Sequence, residues 1–105
     1  MNITAKGVTL TESMKTLVAE RFTHLESHTP DMDKMHCHIT YHESYQEFEC
    51  EVSVHHGKKT LFAKERGAEF KSTLMHTFYA VEHQLEKQKT QQISKQKHSS
   101  MPLEQ

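Results

Sequence analysis

Large apolar residues near the start of the chain fall at Met14, Leu17, Val18, Phe22 and Leu25, a three- and four-residue spacing that lines one face of a helix. Thr11 suits the N-cap of that helix, with Glu12 in its first turn. Thr29-Pro30-Asp31 is turn chemistry, so the helix is expected to end near Ser27 or His28. Ahead of it, Met1 to Lys6 reads as a short strand anchored by Ile3. After it the period changes to two. Met35, Cys37, Ile39 and Tyr41 alternate with His36, His38, Thr40 and His42, and Phe48, Cys50, Val52 and Val54 alternate with Glu47, Glu49, Glu51 and Ser53. Two half-buried strands follow from that alternation, joined through Glu43 to Gln46 as an antiparallel hairpin. His56-Gly57-Lys58 is a second turn, leading to a strand over Thr60 to Lys64, and Glu65 to Ala68 then connects to a second helix. Phe70, Leu74, Phe78, Val81 and Leu85 give that helix an apolar stripe wide enough to pack on a sheet.

The expected order is β-α-β-β-β-α, an α+β class with a four-stranded sheet. The strands have one apolar face, so both helices must pack on it. The other face is expected to lie open, with a histidine column beside a glutamate column. Beyond Lys89 the chain turns to Gln, Ser and Lys, with Ile93, Met101 and Leu103 as its large apolar residues. The reading is one domain over residues 1–90 and a flexible polar tail over 91–105.

At 105 residues the chain is the length of one domain, with room for a core but not for a core plus a deep cleft. No apolar run approaches the roughly 20 residues that span a bilayer. Met1 to Lys6 lacks the apolar region of a signal peptide, so a cytoplasmic location is expected and no membrane partner. Cys37 and Cys50 fit no metal or redox spacing and read as small buried thiols. The net charge of −1 gives little support to nucleic-acid binding, but ten histidines make the charge depend strongly on pH.

Catalysis has no support in the sequence. There is no nucleophile motif and no phosphate-binding glycine loop, so no cofactor and no small-molecule substrate are expected. His36, His38 and His42, opposite Glu47, Glu49 and Glu51, invite a zinc site. Cross-strand His–Glu pairing on a flat, solvated face explains the same residues at lower cost, and no metal is expected there.

Three stretches carry a resemblance. They are Ile3-Thr4 with Val8, Leu10 and Thr11 ahead of the first helix, Leu61-Phe62-Ala63 in the last strand, and Val81 to Lys89 (VEHQLEKQK) in the second helix. In order and spacing, over about residues 1–90, the chain resembles the ribosome hibernation promoting factor and ribosome-associated inhibitor family. The resemblance implies a small cytoplasmic protein, without enzymatic activity, that binds the small ribosomal subunit in stationary phase or under stress. It would occupy the channel of messenger and transfer RNA and stop initiation. Longer members carry an extra C-terminal domain that pairs ribosomes; this chain is similar to the short forms. The fold is also similar to that of double-stranded-RNA-binding domains.

Basic residues on the two helices make the ribosome contact in that family. Carried over, these are Lys15, Arg21 and His24 on the first helix, and His83, Lys87 and Lys89 on the second. Ala80 stands where a lysine is usual, His83 where an arginine is usual, and Met75 where an acidic residue is usual, so the contact face is less basic than in the family. His76, Ala80, His83 and Lys87 form a stripe that an ordinary solvated helix face would also show. Arg21 falls within the apolar arc of Leu17, Val18 and Leu25. Its stem could cover the core edge with the head in water, or its guanidinium could be held at a helix–helix groove for a phosphate. Two other functions stay open. A generic double-stranded RNA module needs a lysine cluster at the start of its last helix, and Gly67-Ala68-Glu69-Phe70-Lys71 has one lysine beside a glutamate. A protein-interaction adaptor that kept the fold and lost RNA binding would explain Ala80 and the acidic sheet face.

Overall fold

β1 (Asn2–Lys6) runs parallel to β2 (Met32–His42), and a parallel pair needs a crossover, which α1 (Glu12–His28) supplies. β3 (Glu47–His56) and β4 (Lys59–Gly67) follow as antiparallel hairpins, giving one sheet in the order β1-β2-β3-β4. α2 (Phe70–Gln96) closes the chain. The computed structural model describes residues 1–96, with side chains to residue 87. The β-α-β-β-β-α order expected from the sequence is the order observed.

The apolar faces meet as the alternation requires. Cys37 and Ile39 of β2, Cys50, Val52 and Val54 of β3, and Leu61 and Ala63 of β4 are buried beneath Val18 and Leu25 of α1 and Leu74, Phe78, Val81 and Leu85 of α2. Each large aliphatic side chain so buried contributes about 1.5–3 kcal/mol relative to exposure. Cys37 and Cys50 are free thiols. Burial first, and a neighbouring charge second, push both up to about 12. The apolar stripe of α2 alone does not show that Thr73 and Thr77 are buried too. Their hydroxyls donate back one turn, Thr73 Oγ1 to Glu69 O at 2.6 Å and Thr77 Oγ1 to Thr73 O at 2.8 Å, so neither polar group is left unsatisfied.

Thr11 caps α1 as expected, its Oγ1 accepting from the Met14 N–H at 3.2 Å. Three boundaries differ from the sequence reading. β2 begins at Met32, because an irregularity between Asp33 and His36, with Lys34 at φ 53°, resets the alternation so that Met32 and Met35 both point inward. β4 continues to Gly67, which pairs with Phe48, so the connection to α2 is shorter than the Glu65 to Ala68 expected. Of the tail expected over residues 91–105, residues 91–96 continue α2 and residues 97–105 lie outside the described residues. Gly7, at φ 78°, turns the chain between β1 and α1 where an added Cβ would lie 2.6 Å from Tyr41 O. Among the described residues no helix is long and apolar enough to cross a membrane.

Candidate nucleic-acid interface

Arg21 and His24 lie at the groove between α1 and α2, while His83 lines a separate hollow against β4 and Lys87 is exposed one turn beyond it. Arg21 is half-buried. It lines the groove with His24 and Leu25 of α1 and Met75, Phe78, Tyr79 and Glu82 of α2. Its position in the apolar arc therefore places it between the helices. His24 Nε2 lies 3.9 Å from Glu82 Oε2 across this groove, and the His24 and His28 rings meet edge to face with centroids 4.9 Å apart.

His83 is exposed on α2 and stacks on Tyr79, the ring planes 28° apart and the centroids separated by 6.3 Å. Tyr79 is 67% exposed, an unusual setting for a tyrosine, and no pattern in the sequence singles it out. A second hollow, between α2 and β4, is lined by Glu65, His76, Tyr79, Ala80, His83 and Gln84. Gln84 Nε2 donates to Phe62 O at 2.7 Å and fixes α2 against β4. Ala80 is half-buried against the core, so the stripe from His76 to Lys87 is not uniformly solvated. Lys87 is exposed one turn beyond His83.

Two predicted residues do not join this group. Lys15 pairs with Glu12 at 3.3 Å and, six residues before Arg21, is rotated from it by about 120° around α1. The Lys89 side chain lies outside the described residues. The helix face is thus mixed, with Arg21 and Lys87 as fixed positive charges, several titratable histidines, and Glu82 among them.

The opposite sheet face is open and charged, as the alternation implied. His38 sits opposite Glu51 and His42 opposite Glu47 in the β2–β3 register. His42 Nε2 donates diagonally to Glu49 Oε1 at 2.6 Å, whereas the His38 ring turns to Thr4 Oγ1 of β1 at 2.6 Å. Lys64 of β4, not singled out from the sequence, bridges Glu49 at 3.2 Å and Glu51 at 3.4 Å. The hydrogen bond from His42, with help from Lys64, holds the Glu49 carboxyl below its ordinary range, against a burial penalty second in size only to the His42 bond. Its bonds and charge interactions with Glu49, and then with Glu51, raise Lys64. Among the described residues the hairpin histidines form no converging group of metal ligands. His24, His28 and Glu82 do, with ligand atoms within 4.8 Å of one another.

Comparison with known proteins places this architecture. A ribosomal subunit interface protein from Coxiella burnetii superposes with a TM-score of 0.76 at 17% identity, covering 86% of this chain and 99% of that one. The N-terminal domain of Protein Y from Thermus thermophilus gives 0.73 at 11% identity, covering 82% and 93%. These likenesses define the fold. No match is found among the curated proteins. The family model described as sigma 54 modulation protein / S30EA ribosomal protein matches residues 1–93, and the chain belongs to that family. The resemblance read from Ile3-Thr4, Leu61-Phe62-Ala63 and Val81 to Lys89 is borne out.

Proposed function

We propose that the protein is a ribosome-associated translation inhibitor that binds the small ribosomal subunit in the cytoplasm under stress, through the α1–α2 face. Bound in the channel of messenger and transfer RNA, it blocks initiation without chemistry of its own. The observation that carries this reading is the family match over residues 1–93. The geometry of the helix layer supports it. Arg21 lies half-buried at the groove between the two helices, where its guanidinium can reach phosphate oxygens of a bound RNA. Lys87 adds a second cation on the same layer, and the Tyr79–His83 stack offers a flat aromatic surface to an unpaired base.

Co-sedimentation of the full chain with purified small subunits across a salt series tests the proposal. Binding through several phosphates weakens steeply as salt rises. Absence of co-sedimentation even at low salt would overturn the ribosome reading and favour the protein-interaction adaptor. Equal binding to any double-stranded RNA would favour the generic module.

A further inference from the structure

We infer that His24, His28 and Glu82 form a binding site for a zinc ion that bridges α1 and α2. His24 and His28 stand at i and i+4 on α1, so their rings share one face of the helix one turn apart. That spacing presents two imidazole nitrogens to one cation. Glu82 comes from the other helix, its Oε2 already 3.9 Å from His24 Nε2. All three ligand atoms lie within 4.8 Å of one another.

Geometry and ligand chemistry favour zinc. In a tetrahedral site with ligands at about 2.0–2.1 Å, neighbouring ligand atoms are about 3.3–3.4 Å apart. The observed separations, all within 4.8 Å, exceed these by up to about 1.5 Å, a gap that side-chain rotation at exposed His24 and His28 and half-buried Glu82 covers. Two imidazoles and a carboxylate are a zinc donor set that leaves one position to water. A hollow beside the cluster is lined by His28, Glu82 and Glu86 over Leu25 and Leu85, so a second carboxylate stands one turn beyond the first on α2. The two leucines are buried and close the inner side of the site. Arg21, in the adjoining groove, is the opposing charge, and its long stem lets the guanidinium swing toward solvent.

The site is independent of the ribosome reading, because zinc binding needs no ribosome. Its consequence for the fold is a clasp between the end of α1 and the middle of α2.

Calorimetric titration of the untagged full chain with zinc chloride near pH 7.5 tests it. One dominant site is expected. His28→Ala and Glu82→Gln should each weaken it by at least about tenfold, the lower bound for disturbing even the supporting shell of a metal site. The double variant His36→Ala/His38→Ala, on the far sheet face, should leave it unchanged. Cobalt(II) in place of zinc should give the intense visible bands of tetrahedral coordination, reduced in His28→Ala. Far-ultraviolet circular dichroism of each variant establishes that the fold is retained. Absence of zinc binding, or binding abolished by the hairpin variant and not by His28→Ala, would overturn the proposal and leave His24–Glu82 a plain ion pair.

Discussion

His42 Nε2 and Glu49 Oε1 lie 2.6 Å apart across the β2–β3 hairpin, and Lys64 Nζ approaches the other carboxylate oxygen of Glu49 to 3.2 Å. The carboxylate thus accepts from both neighbouring strands. Because its folded pKa is depressed below the ordinary 4.5, its contribution to stability is complete above that value. It is lost as the pH falls through the depressed pKa. Lys64, shifted upward, contributes fully below its ordinary 10.5 and loses that contribution only in stronger alkali. Glu49→Gln should therefore melt a few degrees below the wild type at pH 7, and the difference should shrink as the pH falls below the ordinary carboxylate range. Thermal melts of the two proteins across that pH range check this, and a gap of constant size would show that charge is not its source.

Arg21 and Lys87 are fixed cations of the helix layer, alongside Lys15 and Lys71. Arg21→Glu with Lys87→Glu should weaken binding to the small subunit and lower its salt dependence by about one logarithmic unit for each phosphate no longer neutralised. Lys87→Glu alone should leave the melting temperature of the free protein nearly unchanged because Lys87 is exposed, whereas Arg21→Glu, at a half-buried position in a groove shared with Glu82, should lower it. Normal inhibition of cell-free translation by the double variant would mean that another surface makes the contact.

Subunit affinity should rise as the pH falls from about 7.5 to 6, the window in which histidine ordinarily gains charge. A nearby phosphate favours the protonated ring, so binding takes up protons and is strengthened by acid. His83 has Tyr79 and His76 beside it on α2 and Glu65 facing it from β4. His83→Arg should bind well at both pH values and show the smaller pH effect. Equal pH dependence in the two proteins would rule His83 out as the sensor.

Both thiols should be inert in the folded protein. With Cys37 and Cys50 buried and their pKa values pushed up to about 12, neither should react with iodoacetamide at pH 8, while both should react in denaturant. Mass spectrometry of the native and the unfolded protein after labelling distinguishes the two states.

Gly7→Ala should cost more stability than Gly57→Ala. Both glycines have positive φ, but a Cβ at Gly7 would meet Tyr41 O at 2.6 Å, whereas the space around Gly57 is open. The first substitution adds a backbone clash to the conformational strain, and a loss above about 1 kcal/mol is expected for it. Urea midpoints of the two variants give the comparison, and equal values would mean that the turn at Gly7 relaxes.

Much of this architecture is legible in the sequence because its strands obey a period of two and its helices a three- and four-residue spacing. Thr11 and the Thr29-Pro30-Asp31 turn bound α1 for the same local reason. The start of β2 is not legible, since Lys34 takes a positive φ that its residue type does not announce and the alternation breaks there. Thr73 and Thr77 escape notice because a threonine reads as polar until its hydroxyl is seen to bond its own helix. In the candidate site, the placement of Arg21 between the helices follows from its angle in the apolar arc. The convergence of Glu82 on His24 and His28 does not, because it depends on how α1 and α2 cross. A spacing of four on one helix shows a pair of histidines, and the third ligand is supplied by tertiary packing.

The parallel pairing of β1 with β2 sets an order of events during synthesis. Asn2 lies thirty-four residues ahead of its partner His36, and a whole helix is made between them. β1 therefore leaves the ribosome without a strand partner and stays so until β2 follows. The β2–β3 and β3–β4 hairpins close over short turns as soon as they appear. Joining β1 to β2 closes a much longer loop than either hairpin does, so that pairing is expected to form more slowly than the two hairpins.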